Sequence, residues 1–274
     1  MPIIVTDTPS DFVAYLTDPG LPVYDMNIPL AQYLCSVKAF GGNEEASQVI
    51  GYANQKIYYD EARKTKVSSQ TRNIGRLTTG QGYPEDVTLL MEHITDNIDK
   101  MRAAPELKQK DYFRNPQLDI ESILNMMVER KVFGLDCIGF ISQYLVYAGV
   151  WQDYKPYYPA DYRREFRPVA SLEDVERLCL VIWDNFHIGM IDNVTSYNET
   201  TGELLVDICQ SSWGANKGPQ TNCDVSLRVS RDDTYQGAQK FKIVRVGSPA
   251  MPVQHPVYIC KMPGLVWQGD LAGD

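Results

Sequence analysis

An α+β fold is what this sequence predicts, from two observations. Apolar residues recur at helical spacing through the first half of the chain, and from Leu178 onward the period shortens to the alternation of strands. Helices that precede a mainly antiparallel sheet, instead of alternating with its strands, give that class. A mixed, proline-bearing and charged stretch from Ala103 to Gln117 marks the expected boundary, with a helical N-terminal region over 1–115 and a second domain over 116–274.

Taken in order, Asp11 to Leu16 reads as a short helix, and Pro29 to Phe40 as a longer one with Leu30, Tyr33, Leu34 and Val37 at helical spacing, ended by Gly41 and Gly42. Glu44 to Lys64 is a polar helix with Val49, Ile50, Ala53, Ile57 and Tyr58 along one side. Ser68 to Tyr83 is a loop, and Pro84 opens a helix striped by Val87, Leu90, Met91, Ile94 and Ile98. Ile120 to Lys131 is one more helix, leading into Phe133 to Val150, and Trp151 to Pro168 is an ordered aromatic loop suited to walling a cleft. Strands follow at Cys179 to Trp183, Ile188 to Val194, Glu203 to Cys209, Asp224 to Ser230, Phe241 to Val244 and Val257 to Cys260, with Asn198 to Gly202 as a turn.

Composition narrows the function. A net charge of -9 argues against nucleic acid or an anionic membrane surface as the main partner, because both reward clustered Lys and Arg. No apolar run reaches the roughly twenty residues that span a bilayer. Met1 to Val5 is too short for a signal peptide, and Asp7, Asp11 and Asp18 stand where its hydrophobic segment would be. The expectation is a protein made in the cytoplasm and exported, if at all, by a leaderless route. The six cysteines are scattered with no C-x-x-C pair, so neither a zinc site nor a disulfide framework is expected, and a Cys209 to Cys223 bridge is disfavoured. His93 has no second ligand at metal-binding spacing. No metal or cofactor is expected.

The chemistry concentrates at Cys137. Asp136 is a strong N-cap residue followed by the apolar face Ile141, Leu145 and Ala148, so a helix should begin at the cysteine. Free backbone N–H groups and the positive end of the helix dipole then favour a thiolate. A cysteine taken at random is a small buried hydrophobe. One at a capped helix start, with Gly134 before it and Gly139 two residues on, suits chemistry better than packing: Gly134 permits a sharp turn and Gly139 clears space for an approaching group. Gly149 ends the helix. A thiolate needs a proton acceptor held in one tautomer. His187, at the mouth of a strand with Gly189 two residues on, is the better base than His93 or His255. The orienting group should come from the next strand, where Gln210, Asp207 and Ser211 are the candidates; alternation forbids Asp207 and Gln210 a common face without a bulge.

The run Asp136-Cys-Ile-Gly-Phe-Ile, then His187-Ile-Gly-Met-Ile, then Ile208-Cys-Gln-Ser-Ser resembles the core of the NlpC-like cell-wall cysteine peptidases, a papain-like family with the pattern Asp-Cys-Ser-Gly-Phe, a later His-Val-Gly-Ile and a third polar residue. The resemblance covers roughly residues 130 to 215. It implies Cys137 as nucleophile, His187 as base and Gln210 as third member, on a helix packed against an antiparallel sheet. It also implies amide hydrolysis in peptidoglycan stem peptides. The chain departs from the pattern in three places: Ile138 replaces the serine, Arg177-Leu178-Cys179 opens the strand before the histidine in place of Gly-Asp, and no tyrosine equivalent precedes the cysteine. The expected function is a cysteine endopeptidase or amidase of the cell wall, with an immunity or delivery protein as a further partner. The alternatives are a papain-like acyltransferase or deamidase acting on a host protein or lipid, and a binding module with a decayed site.

Overall fold

The computed structural model describes residues 2–32, 34, 44–53, 74–155, 157–183, 186–212, 218–235, 238–245 and 257–269, and its mixture of helices with an antiparallel sheet is α+β. In chain order the elements are β1 (Ile3–Val5), α1 (Pro9–Thr17), β2 (Leu21–Val23), β3 (Met26–Ile28), α2 (Glu44–Tyr52), α3 (Ile74–Leu77), α4 (Pro84–Asp96), α5 (Ile98–Ala103), α6 (Asp111–Arg114), α7 (Ile120–Glu129), α8 (Cys137–Tyr147), α9 (Pro159–Glu165), β4 (Arg167–Pro168), β5 (Leu180–Trp183), β6 (His187–Asn198), β7 (Glu203–Ser212), β8 (Gly218–Tyr235), β9 (Ala238–Arg245), β10 (Val257–Lys261) and β11 (Leu265–Trp267). They fall into two compact units. The first comprises Met1–Val13, Phe140–Gln210 and Gln220–Asp274, the second Ala14–Gly139 and Ser211–Pro219. The boundary expected at 115/116 lies within the second unit; the division found passes through α8 after Gly139 and through β7 after Gln210.

The first unit is built on a sheet with the order β4-β10-β5-β6-β7-β8-β9, which closes on itself where Val257 of β10 pairs with Phe241 of β9. One face carries Cys179, Val181, Ile191, Leu204, Val206, Ile208, Val225, Leu227, Val257 and Ile259 in a single apolar cluster. On the other face Leu180, Ile182, Ile188, Met190, Cys209 and Tyr258 are buried as well. Strands covered on both sides read as continuous apolar runs, which is why Leu180–Trp183 shows no alternation in the sequence. The second face takes the Arg163 guanidinium of α9, 4.8 Å from the Tyr258 ring. Burial raises the hydroxyl pKa of Tyr144 of α8, and the neighbouring Asp192 and Cys209 raise it further.

The chain start belongs to this unit through particular contacts. β1 pairs in parallel with β11, and Phe12 packs its ring 5.5, 6.0 and 5.1 Å from Phe140, Tyr144 and Tyr147 of α8. The register between β6 and β7 slips after Ile191, leaving Asp192 as the extra residue, and its carboxylate accepts the Ser10 N–H in the first turn of α1 at 2.8 Å. α8 ends in a Schellman turn. Gly149 stands at φ 69°, its N–H bonds Val146 and the Val150 N–H bonds Leu145, so the expected glycine stop is found.

In the second unit the stripe Val87, Leu90, Met91 and Ile94 of α4 is buried as expected, and α7 is capped by Asp119, which accepts the Ser122 N–H at 2.7 Å. Tyr112 of α6 is fully buried with its hydroxyl on Glu45 of α2 at 2.8 Å. The described part of one expected helix is not helical: Pro29 to Gln32 and Leu34 adopt no regular structure, and residues 33 and 35–40 lie outside the described residues, as do 54–64 of the Glu44 to Lys64 helix. The reason is tertiary. Gln32 and Leu34 exchange backbone hydrogen bonds with Leu135, Leu135 N–H to the Gln32 carbonyl at 3.1 Å and Leu34 N–H to the Leu135 carbonyl at 3.4 Å, and those outweigh a helical propensity of a few tenths of a kcal/mol per residue. The hairpin β2–β3 and the pair β1–β11 had too few residues to show a period, and α9 forms inside the stretch expected to be a loop.

Replacing Phe12 by alanine removes a side chain with no exposed surface and three ring contacts. Chemical denaturation of Phe12→Ala is expected to show a loss of about 3–5 kcal/mol; a loss below about 1 kcal/mol would mean that the N-terminal segment does not share the core.

Candidate functional site

Cys137 is the first residue of α8 and is 4% exposed. Asp136 caps that helix as the sequence predicts: its Oδ1 accepts the Gly139 N–H at 2.5 Å, and the Ile138 N–H also bonds the carboxyl. Its Oδ2 accepts Nε2–H of Gln81 at 2.9 Å, and its own N–H bonds the Gly80 carbonyl at 2.9 Å. The Gly80–Gln81 backbone thus lies directly on the first turn of the cysteine helix. A Cβ at Gly139 would sit 2.0 Å from the Gly80 oxygen, and one at Gly134 would sit 2.3 Å from the Gln32 oxygen. Both glycines flanking the cysteine are therefore explained by close backbone approach. The group for which Gly139 makes room is another loop of the chain.

Burial dominates the electrostatics of Asp136. The carboxyl is cut off from water, which pushes its pKa from 3.8 up to about 7, against the opposing effect of the Gln81, Gly139 and Ile138 donors. The cap is an acid that holds its proton until near neutrality.

His187 opens β6 opposite Trp183 of β5, with the two rings 4.9 Å apart and inclined at 55°. Its Nε2 lies 2.6 Å from Oε1 of Gln210. An amide oxygen only accepts, so Nε2 carries the hydrogen and Nδ1 of the neutral ring keeps its lone pair. Met190 pairs with Cys209, so one step along the ladder Gly189 faces Gln210, and a Cβ there would stand 3.3 Å from the Gln210 Cβ. With no side chain between them, the Gln210 amide crosses diagonally to the imidazole on the same face of the sheet. Surrounding protein pushes the His187 pKa from 6.5 down to about 4, with the Gln210 bond working in the other direction. The ring retains some exposed surface, but the atoms packed around it disfavour the imidazolium.

Of the three candidates for the orienting group, the structure pairs Gln210 with His187. Asp207 accepts the Asp224 N–H at 3.0 Å, and Ser211 is fully buried and donates to the Leu135 carbonyl at 2.7 Å. His187 and Gln210 belong to the first unit, and Cys137, Asp136, Gln81 and Ser211 to the second. Among the other described cysteines, burial pushes the thiols of Cys179 and Cys260 up to about 12 and raises that of Cys209, which suits packing and not nucleophilic attack. No group of three or more His, Cys, Asp and Glu side chains suited to a metal ion occurs among the described residues, and none of their helices is long and apolar enough to cross a membrane. His255 lies outside the described residues. Sequence reasoning missed Gln81, which stands in a polar Gly-Gln-Gly stretch 55 residues before its carboxyl partner with no local signal.

Compared with family models, curated proteins and solved structures, the chain matches none.

Two pH signatures follow. A raised acid contributes stability that is fully present below its unfolded pKa near 3.8 and is lost as pH rises through about 7. The depressed histidine acts oppositely: its contribution is present above 6.5 and is lost as pH falls through about 4. Asp136→Asn keeps a capping oxygen and removes only the first slope. Urea unfolding at a series of pH values is expected to give a wild-type minus variant difference that declines from acid to neutral pH; a flat difference contradicts a proton held by Asp136. In a proton NMR titration the His187 ring signals are expected to move near pH 4 and not near 6.5.

Proposed function

We propose that this protein is a papain-like cysteine hydrolase of amide bonds, with peptidoglycan stem peptides as its substrate class. The observation that carries the reading is the His187–Gln210 pair: a neutral imidazole with Nε2 bound to an amide oxygen and Nδ1 left as the basic nitrogen is the state a general base needs. The capped helix start at Cys137 supports it from the side of the nucleophile, since an anion is favoured there. The NlpC-like order of Cys137, His187 and Gln210 supplies the choice of substrate.

In the proposed reaction His187 takes the thiol proton and the Cys137 sulfur attacks the amide carbon. The positive end of the α8 dipole favours the charge of the tetrahedral oxygen. Collapse of that intermediate breaks the C–N bond while the imidazolium returns the proton to the leaving amine, giving a thioester on Cys137. Water, deprotonated by His187, then releases the acid and restores the thiol. Gln210 keeps Nε2 protonated and the ring in one orientation throughout, without adding a charge.

Digestion of purified cell wall and of defined stem peptides, followed by mass spectrometry, tests the proposal. The wild type is expected to release new termini and Cys137→Ala none. His187→Ala is expected to lose about 10²-fold or more, the usual worth of a positioned base, and Gln210→Ala to lose less than His187→Ala. Turnover that survives Cys137→Ala would sink the reading. Intact stem peptides together with a stable acyl group on Cys137, transferred to a protein or lipid amine or hydroxyl, would assign the chain to the acyltransferases instead.

A further inference from the structure

We infer that Gln81 is a positioning residue for the Cys137 nucleophile, acting through the carboxyl of Asp136. The inference rests on the reading of Cys137 as a nucleophile and adds to it a residue that lies outside the NlpC-like motifs.

The geometry is a clamp of four hydrogen bonds. Asp136 spans from the helix start, where its carboxyl holds the Gly139 N–H through Oδ1 and also the Ile138 N–H, to the loop, where Oδ2 holds the Gln81 side chain and its own N–H holds Gly80. Cys137 is the residue enclosed between these contacts, so the direction of its Cα–Cβ bond follows the clamp. The loop is itself fixed. The Gln81 N–H bonds the Arg76 carbonyl at 2.9 Å, and Gly80 stands at φ 76° where a Cβ would lie 2.0 Å from the Leu34 oxygen. Gln81 has little freedom to turn elsewhere.

Gln81 is the side chain that donates to this carboxyl among the described residues. The other residues shown against the turn, Gln32, Leu34 and Gly80, bring no charge, and Cys137 is the titratable neighbour along the chain. An acid held between protonated and ionised forms near neutrality responds strongly to the loss of one donor. A proton on Asp136 removes a negative charge one residue from the sulfur, whereas its loss adds one, so the state of the clamp reaches the thiol by charge as well as by position.

The test is the rate at which iodoacetamide alkylates Cys137 in the full-length protein from about pH 5 to 9, read on the Cys137 peptide by mass spectrometry. Gln81→Ala is expected to slow alkylation about tenfold or more, the fold-change equivalent to one hydrogen bond to a charged group. Gln81→Glu gives the distinguishing signature. While the two carboxyls share a proton, one donates to the other and the rate matches wild type; once the second proton leaves, like charges in contact separate, and the rate falls with rising pH. That comparison is made within one protein and survives a failure of Gln81→Ala to fold. Wild-type rates and an unchanged pH profile in both variants, with circular dichroism unchanged, would overturn the inference. Because alkylation needs no turnover, an inactive wild type with the predicted profile would sink the hydrolase reading and leave this one standing.

Discussion

The first turn of α8 depends on a backbone contact that leaves no room for side chains. Gly80 lies against Gly139 and Leu34, and Gly134 against Gln32, at separations where any Cβ would overlap a carbonyl oxygen. Gln32, Leu34 and Gly80 are thereby pinned to the start of α8 by main-chain hydrogen bonds: Leu135 with Gln32 and Leu34, Asp136 with Gly80. Glycine carries an entropic cost in the unfolded chain, about 0.5–1 kcal/mol per position relative to alanine in regular structure. That cost is offset by satisfied backbone donors and acceptors, which would be expensive to bury unpaired. A cysteine on a turn built this way has its direction set by peptide groups and little by the packing of neighbouring side chains.

Two titratable groups are driven away from their ordinary behaviour, in opposite senses and for one reason. Burial favours the uncharged form of each, so Asp136 rises toward neutrality and His187 falls toward pH 4. Each keeps a single side-chain amide as its partner, Gln81 on the acid and Gln210 on the base. An amide orients a titratable group without adding net charge, which a carboxylate in place of Gln210 would do. The result is a base that stays neutral through the physiological range and a cap whose charge changes within it.

The other described thiols show what the same chain does with cysteines used for packing. Cys179 and Cys260 lie within the buried sheet and Cys209 on its second face, all raised by desolvation. None stands at a helix start. Cys223 is exposed, but the protein packed against its thiol and, after that, the charges of Asp207 and Asp224 raise its pKa, the reverse of what a nucleophile requires.

Much of this was legible in the sequence, because it is encoded over short distances. The stripe Val87, Leu90, Met91 and Ile94 recurs at helical spacing, Asp136 precedes an apolar helix it can cap, Gly149 stops that helix, and the strands from Leu180 onward show as apolar or alternating runs. The residues read alone left Gln210, Asp207 and Ser211 open and only the resemblance pointed to Gln210, since the choice turns on register: a glycine opposite Gln210 opens the diagonal to His187. Also not legible were the irregular backbone at Pro29 to Gln32 and the Gln81–Asp136 hydrogen bond, each of which involves partners more than fifty residues away. Periodicity, caps and breakers act within a turn or two of the chain and so are written locally, whereas the pairing of remote backbone groups exists only once the chain has folded and the close contacts of glycine decide which segments meet.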